Sequence, residues 1–266
     1  MRGRKRTPDG EGQIEDSSGQ RPLAFLVDGE NATASLAAEM LAEASRYGTV
    51  IIRKVYGDWS SPRMNAWRDV LGEHALVAVQ QFPNISGKNA IDIALIVDAM
   101  DMLHGGVVMG FCLASSDSDY TRLATRIREA GLFAMGIGNE RTPESLRNAC
   151  DVFVVTKNLA PLESPAAPAR GKRSTEEAAR GRPPPKDAVQ ILEKAFANVV
   201  GDHGLAYMSL LAETLRRLDP GFDPRTYGKS KLVDLIEALP DTFTVERRGA
   251  PGRGAVYVRR RRAPKG

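Results

Sequence analysis

The chain of 266 residues, with a net charge of +4 at pH 7, is long enough for one α/β domain and a smaller second domain. It has no apolar run near the length of a membrane span, and its basic N-terminus leads into polar residues rather than a signal-peptide core, so we expect a cytoplasmic protein with no membrane partner. Its two cysteines, Cys112 and Cys150, lie in strand-like contexts without a CxxC pattern or a nearby histidine. They are interpreted as buried reduced thiols, which argues against a zinc site.

The charge is unevenly distributed along the chain. Residues 23–159 contain 12 Lys and Arg against 16 Asp and Glu, a net charge of −4, whereas residues 247–266 contain eight basic residues and no acid. An acidic core with a basic tail suits a carboxylate metal site that gains its affinity for a polyanion from elsewhere in the chain. A tail that only improves solubility is the alternative.

The order of the predicted elements indicates an α/β fold. Six apolar runs are typical of buried parallel strands, and they begin at Leu23, Val50, Ala75, Val107, Leu132 and Val152. Segments with helical periodicity separate these runs. Such alternation implies βαβ crossovers and therefore a parallel sheet flanked by helices. Residues 1–22 lack a hydrophobic period and are predicted to form a disordered tail.

A second domain is predicted after a change in composition. Residues 160–185 are rich in Pro, Ala, Arg and Glu, as linkers are. We therefore place one domain over residues 23–159, a second over residues 186–260, and a basic tail over residues 261–266. Because such a linker carries few contacts, each domain is expected to fold alone. The second domain combines three short helical segments with a terminal hairpin, which is typical of a small winged-helix module.

Carboxylates follow two of the predicted strands. Asp28 ends the run that begins at Leu23, and Asp117 and Asp119 follow the run that begins at Val107. Ligands of open α/β sheets bind at the carboxyl ends of the strands, so these side chains can converge on one cation. For Asp28 taken alone, capping of the next helix is the alternative.

Two more carboxylates lie on the helix predicted over residues 88–103, which is apolar on nearly every side and should be buried. A carboxylate inside it costs several kcal/mol unless it is paired or bound to metal. Asp92 and Asp98 lie about 120° apart on the helix, so they need not share one ligand. Asp92, near the helix start, is predicted to face the strand ends as a site residue. Asp98 lies on the line of apolar neighbours and is predicted to make a structural hydrogen bond.

Together, Asp28, Asp92, Asp117 and Asp119 would form an all-oxygen cluster of catalytic residues. Oxygen ligands without His or Cys select Mg²⁺ or Mn²⁺, which usually keep several waters and bind substrate phosphates. Such a site can activate water and stabilise the leaving oxygen in phosphodiester hydrolysis. The composition of the cluster therefore predicts metal-dependent hydrolysis.

Three segments carry a more specific pattern: Phe25 to Asn31 (FLVDGEN), Lys88 to Leu95 (KNAIDIAL) and Ser115 to Tyr120 (SSDSDY). In this order and spacing they resemble the three motifs of NYN domains, a family of PIN-like metal-dependent nucleases. The resemblance covers residues 23–159. The family often has Gly where Ser116 stands, a small difference that leaves the carboxylates in place.

The resemblance implies roles for individual residues. It implies that Asp28, Asp92 and Asp117 bind the Mg²⁺ or Mn²⁺ ion and that Asp119 assists catalysis. The residues that it implies for the surrounding pocket are Asn31, Ser115 and Lys88. Some relatives act mainly in binding, so a non-catalytic RNA-binding or adaptor protein that retains the fold is the alternative function.

The segment from Leu218 to Leu232 (LDPGFDPRTYGKSKL) is similar to the LOTUS, or OST-HTH, domain just before its last helix. The similarity implies RNA binding, and protein partners are also known among such domains. The residues predicted to contact nucleic acid are Arg225, Lys229, Lys231, Arg259 and Arg260. A solvated helix end is the alternative for the first three. The sequence thus predicts a ribonuclease joined to an RNA-binding winged helix, and it leaves a homo-oligomer open.

Overall fold

The computed structural model describes residues 21–82, 90–159, 182–201, 203–248 and 255–261. Within them, one sheet is built from β1 (Pro22–Asp28), β2 (Thr49–Gly57), β3 (Val77–Gln80), β4 (Gly110–Ala114), β5 (Phe133–Gly138) and β6 (Val152–Val155). The strand order is β3-β2-β1-β4-β5-β6, and every neighbouring pair is parallel. The predicted parallel sheet is confirmed.

The strand order reverses direction at the centre of this sheet. From β1 the chain moves outward through β2 to β3, returns to β4 on the other side of β1, and then moves outward through β5 to β6. The carboxyl ends of β1 and β4 therefore flank a topological switch point, where open α/β sheets form a crevice for ligands.

Helices cover both faces of the sheet. They are α1 (Ala37–Ser45), α2 (Asn65–Leu71), α3 (Ala90–Gly105), α4 (Thr121–Glu129) and α5 (Glu144–Ala149). Leu23, Phe25 and Val27 of β1 pack with α1 and α2, while Ala24 and Leu26 of the same strand pack with α3, α4 and α5. Alternate residues of β1 are thus buried on opposite faces, which explains its unbroken apolar sequence. No helix among the described residues has the length and apolar character needed to cross a membrane.

A small C-terminal domain follows. Its elements are α6 (Val189–Val199), β7 (Leu205–Tyr207), α7 (Met208–Leu218), α8 (Leu232–Glu237), β8 (Phe243–Arg248) and β9 (Ala255–Arg260). The three strands form an antiparallel sheet in the order β7-β9-β8. This is the winged-helix-like domain that the sequence predicts, with β7 added as a third strand. Its core is separate from that of the parallel sheet and includes Leu192, Leu211, Leu235, Phe243 and Val258.

The two domains contact each other along β6, an edge strand of the parallel sheet. The backbone N–H of Phe153 donates to the carbonyl oxygen of Pro220 at 2.8 Å. Asn158 Nδ2 donates to Thr226 Oγ1 at 2.9 Å. An exposed edge strand invites pairing with another chain, and here the C-terminal domain covers part of it. Specific polar contacts therefore join the two domains, and whether each domain folds alone stays a prediction.

Candidate active site

The candidate site lies at the switch point of the parallel sheet. Asp28 is the last residue of β1 and is only 1% exposed, and Ser115 directly follows β4 and is buried as well. Ser115 Oγ donates a hydrogen bond to Asp28 Oδ2 at 2.9 Å. This bond joins the carboxyl ends of the two central strands.

The buried carboxylate of Asp28 is surrounded by donors. The backbone N–H groups of Glu30 and Asn31 donate to Oδ1 at 3.2 and 3.3 Å. Asn31 Nδ2 donates to Oδ2 at 2.7 Å, beside the bond from Ser115. Four hydrogen bonds compensate for the water that this charge loses on burial. Asn31 and Ser115, both predicted as pocket residues, therefore hold Asp28 in one orientation.

The turn after Asp28 requires glycine. A Cβ atom at Gly29 would lie 2.5 Å from the side chain of Met64 and 2.9 Å from the carbonyl oxygen of Tyr56. Two hydrogen bonds fix the turn: Gly29 N–H donates to that carbonyl oxygen at 2.8 Å, and Trp67 Nε1 donates to the Gly29 carbonyl oxygen at 3.0 Å. Close packing beneath the turn therefore sets the position of the carboxylate above it.

The loop after β4 supplies two more carboxylates. The backbone N–H of Asp117 donates to Ser115 Oγ at 3.1 Å. Asp117 in turn caps the short 3₁₀ helix Ser118–Tyr120, because its Oδ1 accepts the backbone N–H of Asp119 at 2.9 Å. Hydrogen bonds within the loop thus fix its conformation. Asp117 and Asp119 lie at the same edge of the sheet as Asp28.

Asp92 joins them from the first turn of α3. The hydroxyl of Tyr120, a side chain that is 1% exposed, donates to Asp92 Oδ1 at 2.5 Å. One oxygen from each of Asp92, Asp117 and Asp119 lies within 4.8 Å of the others. Three carboxylates from two segments that are distant in sequence therefore converge.

The convergence has an electrostatic consequence for Asp92. Burial raises the pKa of its carboxyl, the hydrogen bond from Tyr120 opposes this, and the charges of Asp28, Asp117 and Asp119 raise the pKa further. Asp92 therefore interacts electrostatically with the other three carboxylates that the sequence singles out. Repulsion of this kind is relieved when a cation binds among like charges.

The geometry of the three carboxylates suits a small divalent cation. Oxygen ligands of Mg²⁺ lie about 2.1 Å from the ion and so up to about 4.2 Å from each other. The observed limit of 4.8 Å between the oxygens needs only small side-chain rotations to reach this range. The candidate metal ligands are all carboxylate oxygens, which favours Mg²⁺ or Mn²⁺ over softer metals.

The group of three differs in one member from the predicted metal set. Asp119 belongs to it, whereas Asp28 does not; the Asp28 oxygens instead accept hydrogen bonds from Glu30, Asn31 and Ser115. A role for Asp28 as a metal ligand stays a prediction. Lys88, the remaining predicted pocket residue, lies outside the described residues.

Asp98, on the same helix as Asp92, is confirmed as a structural residue. Its Oδ2 accepts hydrogen bonds from Lys54 Nζ at 2.7 Å and from the Tyr56 hydroxyl at 2.8 Å. Burial alone would raise the pKa of Asp98, but these two donors outweigh that effect and lower it. Asp98 thus links α3 to β2 through hydrogen bonds, and it is not part of the cluster of three carboxylates.

Of the residues predicted to contact nucleic acid, Arg225 occupies an intramolecular interface. Its guanidinium forms ion pairs with Glu43 of α1 and with Asp223, and its side chain is only 17% exposed. Lys229 is partly buried, and Lys231, which precedes α8, is exposed. Lys231 is therefore accessible to a ligand, whereas Arg225 is already paired with Glu43 and Asp223.

Arg259 and Arg260 lie within β9 and not in a free tail. Arg259 Nε pairs with Glu246 Oε1 at 2.7 Å, and Arg260 pairs with Glu193 Oε1 at 2.6 Å. Both side chains remain about half exposed. Nucleic-acid contacts at these positions stay a prediction.

Fold and site together define a PIN-like α/β domain with a carboxylate group at its switch point. The family model of the NYN domain matches residues 22–160, more than half of the chain, and the chain therefore belongs to the NYN domain family. This family is generally nuclease-like. The model of the OST-HTH/LOTUS domain matches residues 183–254, and that domain suggests RNA binding.

Two solved structures of similar proteins are both of uncharacterised function. A protein from Vibrio parahaemolyticus is 19% identical, with a TM-score of 0.44, and the similarity covers 53% of this chain and 95% of that chain. A protein from Nitrosomonas europaea is 29% identical, with a TM-score of 0.27, over 39% of this chain and 92% of that chain. A comparison with curated proteins finds no match.

Proposed function

We propose that this protein is a cytoplasmic, metal-dependent ribonuclease that hydrolyses RNA phosphodiesters and uses its C-terminal domain to bind RNA. The observation that carries the proposal is the convergence of Asp92, Asp117 and Asp119, whose oxygens lie within 4.8 Å of one another at the carboxyl edge of a PIN-like sheet. Two free, buried cysteines suit a reducing compartment.

In this proposal Asp92, Asp117 and Asp119 hold one Mg²⁺ or Mn²⁺ ion. When bound, such an ion activates water for attack on phosphorus and stabilises the leaving oxygen. Tyr120 holds Asp92 in place through its 2.5 Å hydrogen bond. Second-sphere bonds of this kind orient the ligands of a metal site.

Asp28 has a different role in the proposed mechanism. It is held by four hydrogen bonds and raises the pKa of Asp92 through its charge, so it adds negative potential next to the three ligands. That potential favours a divalent cation over an empty site. Removing the Asp28 charge should therefore weaken metal binding even if Asp28 never touches the ion.

The test of this function is a cleavage assay on end-labelled RNA. The wild-type protein should degrade RNA with Mn²⁺ or Mg²⁺, stop when EDTA is added, and recover when excess Mn²⁺ is restored. Asp117→Asn should lose this activity. The matched control is Asp101→Asn, since Asp101 is an exposed carboxylate on α3 outside the group of three. Metal-independent cleavage, or equal rates in Asp117→Asn and the wild type, would remove the proposed function.

A second candidate is a non-catalytic RNA-binding or adaptor protein with a PIN-like fold. One observation favours it: the Asp28 carboxylate is engaged by four hydrogen bonds from Glu30, Asn31 and Ser115, and Asp28 lies outside the group of three carboxylates. An adaptor would bind the labelled RNA in the same assay and leave it intact at every metal concentration.

A further inference from the structure

The sheet of the C-terminal domain has two different faces. Ala206, Phe243 and Val258 point inward and are at most 2% exposed. On the opposite side the strands carry Tyr207 of β7 and Tyr257 of β9, which stand directly across from each other in the antiparallel register. Because side chains alternate along a strand, both tyrosines lie on the outer face.

The two tyrosines form one aromatic surface. Their ring centroids are 4.5 Å apart, with an angle of 40° between the planes. A side-chain hydrogen bond with Tyr207 raises the pKa of the Tyr257 phenol. Tyr207 is nevertheless 52% exposed, so a large part of its ring is open to a ligand. Exposed aromatic side chains that are held in fixed positions are suited to recognition.

Arginines border this aromatic surface. The guanidinium carbon of Arg248 lies 5.3 Å from the centroid of the Tyr257 ring. Arg248 and Arg259 both pair with Glu246, at 3.0 and 2.7 Å. One carboxylate is thus shared by two guanidinium groups, which leaves a net positive charge beside the rings.

The surrounding strands are strongly basic. Residues 243–248 and 255–261 contain five arginines and one glutamate. The ion pairs of Arg248 and Arg259 are solvent-exposed, and exposed pairs of this kind contribute little to stability. The guanidinium groups can therefore exchange a glutamate partner for a phosphate at small cost.

We propose that Tyr207, Tyr257, Arg248 and Arg259, here called the tyrosine face, bind single-stranded RNA by stacking unpaired bases on the rings and pairing phosphates with the arginines. Rings and cations together match a nucleic-acid strand with exposed bases, which has both π-faces and phosphates. Duplex RNA would use the cations but not the rings. A proline-rich peptide would use the rings but not the cations.

This inference deepens the proposed function and rests on RNA being the ligand of the protein, but not on cleavage. Binding is therefore measured in EDTA, with the full chain and with two fluorescent RNAs, a single-stranded oligonucleotide and a blunt hairpin of the same length. Fluorescence anisotropy gives the dissociation constant for each, and circular dichroism checks that every variant is folded.

The decisive variants are Tyr207→Leu and Tyr257→Leu, which keep an apolar side chain but remove the ring. Loss of one stacked base should weaken single-strand binding about tenfold and leave hairpin binding within about twofold of wild type. Tyr207→Phe and Tyr257→Phe keep the rings and should bind like the wild type. Arg248→Gln should reduce the slope of log affinity against log salt concentration by about 0.7.

The outcomes separate the two proposals. If both leucine variants bind single-stranded RNA with wild-type affinity, the proposed role of the tyrosine face is wrong. Metal-dependent cleavage by the same samples would still support the proposed ribonuclease function. If the wild-type protein neither binds nor cleaves RNA, both proposals fail. If the leucine variants retain RNA affinity but lose affinity for a proline-rich peptide, the face is a peptide site and the inference is wrong.

Discussion

The guanidinium of Arg225 donates hydrogen bonds to both carboxylate oxygens of Glu43, at 2.9 and 3.1 Å, and so joins the C-terminal domain to α1. Burial alone would lower the pKa of Arg225, but its hydrogen bonds with Asp223 and Glu43 outweigh this effect and raise it. The Glu43 side chain is only 6% exposed. This ion pair is therefore a buried contact between two domains that have separate hydrophobic cores.

Removing Arg225 should destabilise the protein, because Glu43 would keep a buried charge with only Arg46 as partner. We expect Arg225→Ala to lower the free energy of unfolding by about 3 to 5 kcal/mol, the usual effect of breaking one side of a buried pair. Urea denaturation followed by circular dichroism measures it. The control is Arg217→Ala, since Arg217 forms an exposed pair with Glu213 and should cost less than about 1 kcal/mol. Equal losses in both variants would contradict a special role for the domain contact.

Asp98→Asn should affect stability more than cleavage. The substitution weakens the bonds from Lys54 and Tyr56, and we expect a loss of about 1 to 2 kcal/mol with rates near the wild-type value. Because folding lowers the pKa of Asp98 from 3.8, its contribution is present above that pH and is lost as the pH falls through the folded value. Acid unfolding curves of the wild type and Asp98→Asn measure this contribution. A steeper loss of stability with falling pH in Asp98→Asn than in the wild type would contradict the structural role of Asp98.

Asp92→Asn should have the opposite effect on stability. Burial and the neighbouring carboxylates raise the pKa of Asp92, so its charge opposes folding at neutral pH in the absence of metal. The variant should therefore melt at a higher temperature than the metal-free wild type while losing at least about 100-fold in cleavage rate. Differential scanning calorimetry in EDTA tests the first part. A lower melting temperature would show that Asp92 is a structural residue like Asp98.

Tyr120→Phe tests whether the hydroxyl group positions Asp92. Phenylalanine fills the same buried space, so the fold should persist, but Asp92 loses its 2.5 Å hydrogen bond. We expect Mn²⁺ affinity and cleavage to fall together by about 10- to 100-fold, the usual effect of losing a second-sphere partner. Isothermal titration with Mn²⁺ gives the affinity independently of activity. Unchanged affinity would limit Tyr120 to packing.

Much of the fold follows from the sequence because its signals are local. Unbroken apolar runs predict buried strands, and a carboxylate at or shortly after the end of such a run must lie at the sheet edge, as Asp28 and Asp117 do. Helix geometry also separates Asp92 from Asp98, since residues about 120° apart face different neighbours. The structure bears this out: Asp92 lies with the other carboxylates, and Asp98 pairs with Lys54.

The remaining features depend on contacts that no local pattern encodes. Asp28 lies outside the group of three, and the donors that hold its carboxylate include Ser115, which is 87 positions away in the sequence. Tyr120 belongs to a recognisable motif, but its bond to Asp92 spans 28 positions. The docking of Arg225 on Glu43 spans 182 positions. A strand of three residues such as β7 is too short to show the alternation of apolar and polar residues that predicts a strand.

The most direct measurement is a titration of the metal-free protein with Mn²⁺, followed by electron paramagnetic resonance of the free ion, in the wild type, Asp117→Asn and Asp101→Asn. We expect saturable binding in the wild type and in Asp101→Asn, at the Mn²⁺ concentrations where RNA cleavage begins, and at least about tenfold weaker binding in Asp117→Asn. Equal Mn²⁺ affinity in all three proteins would contradict a metal site formed by Asp92, Asp117 and Asp119.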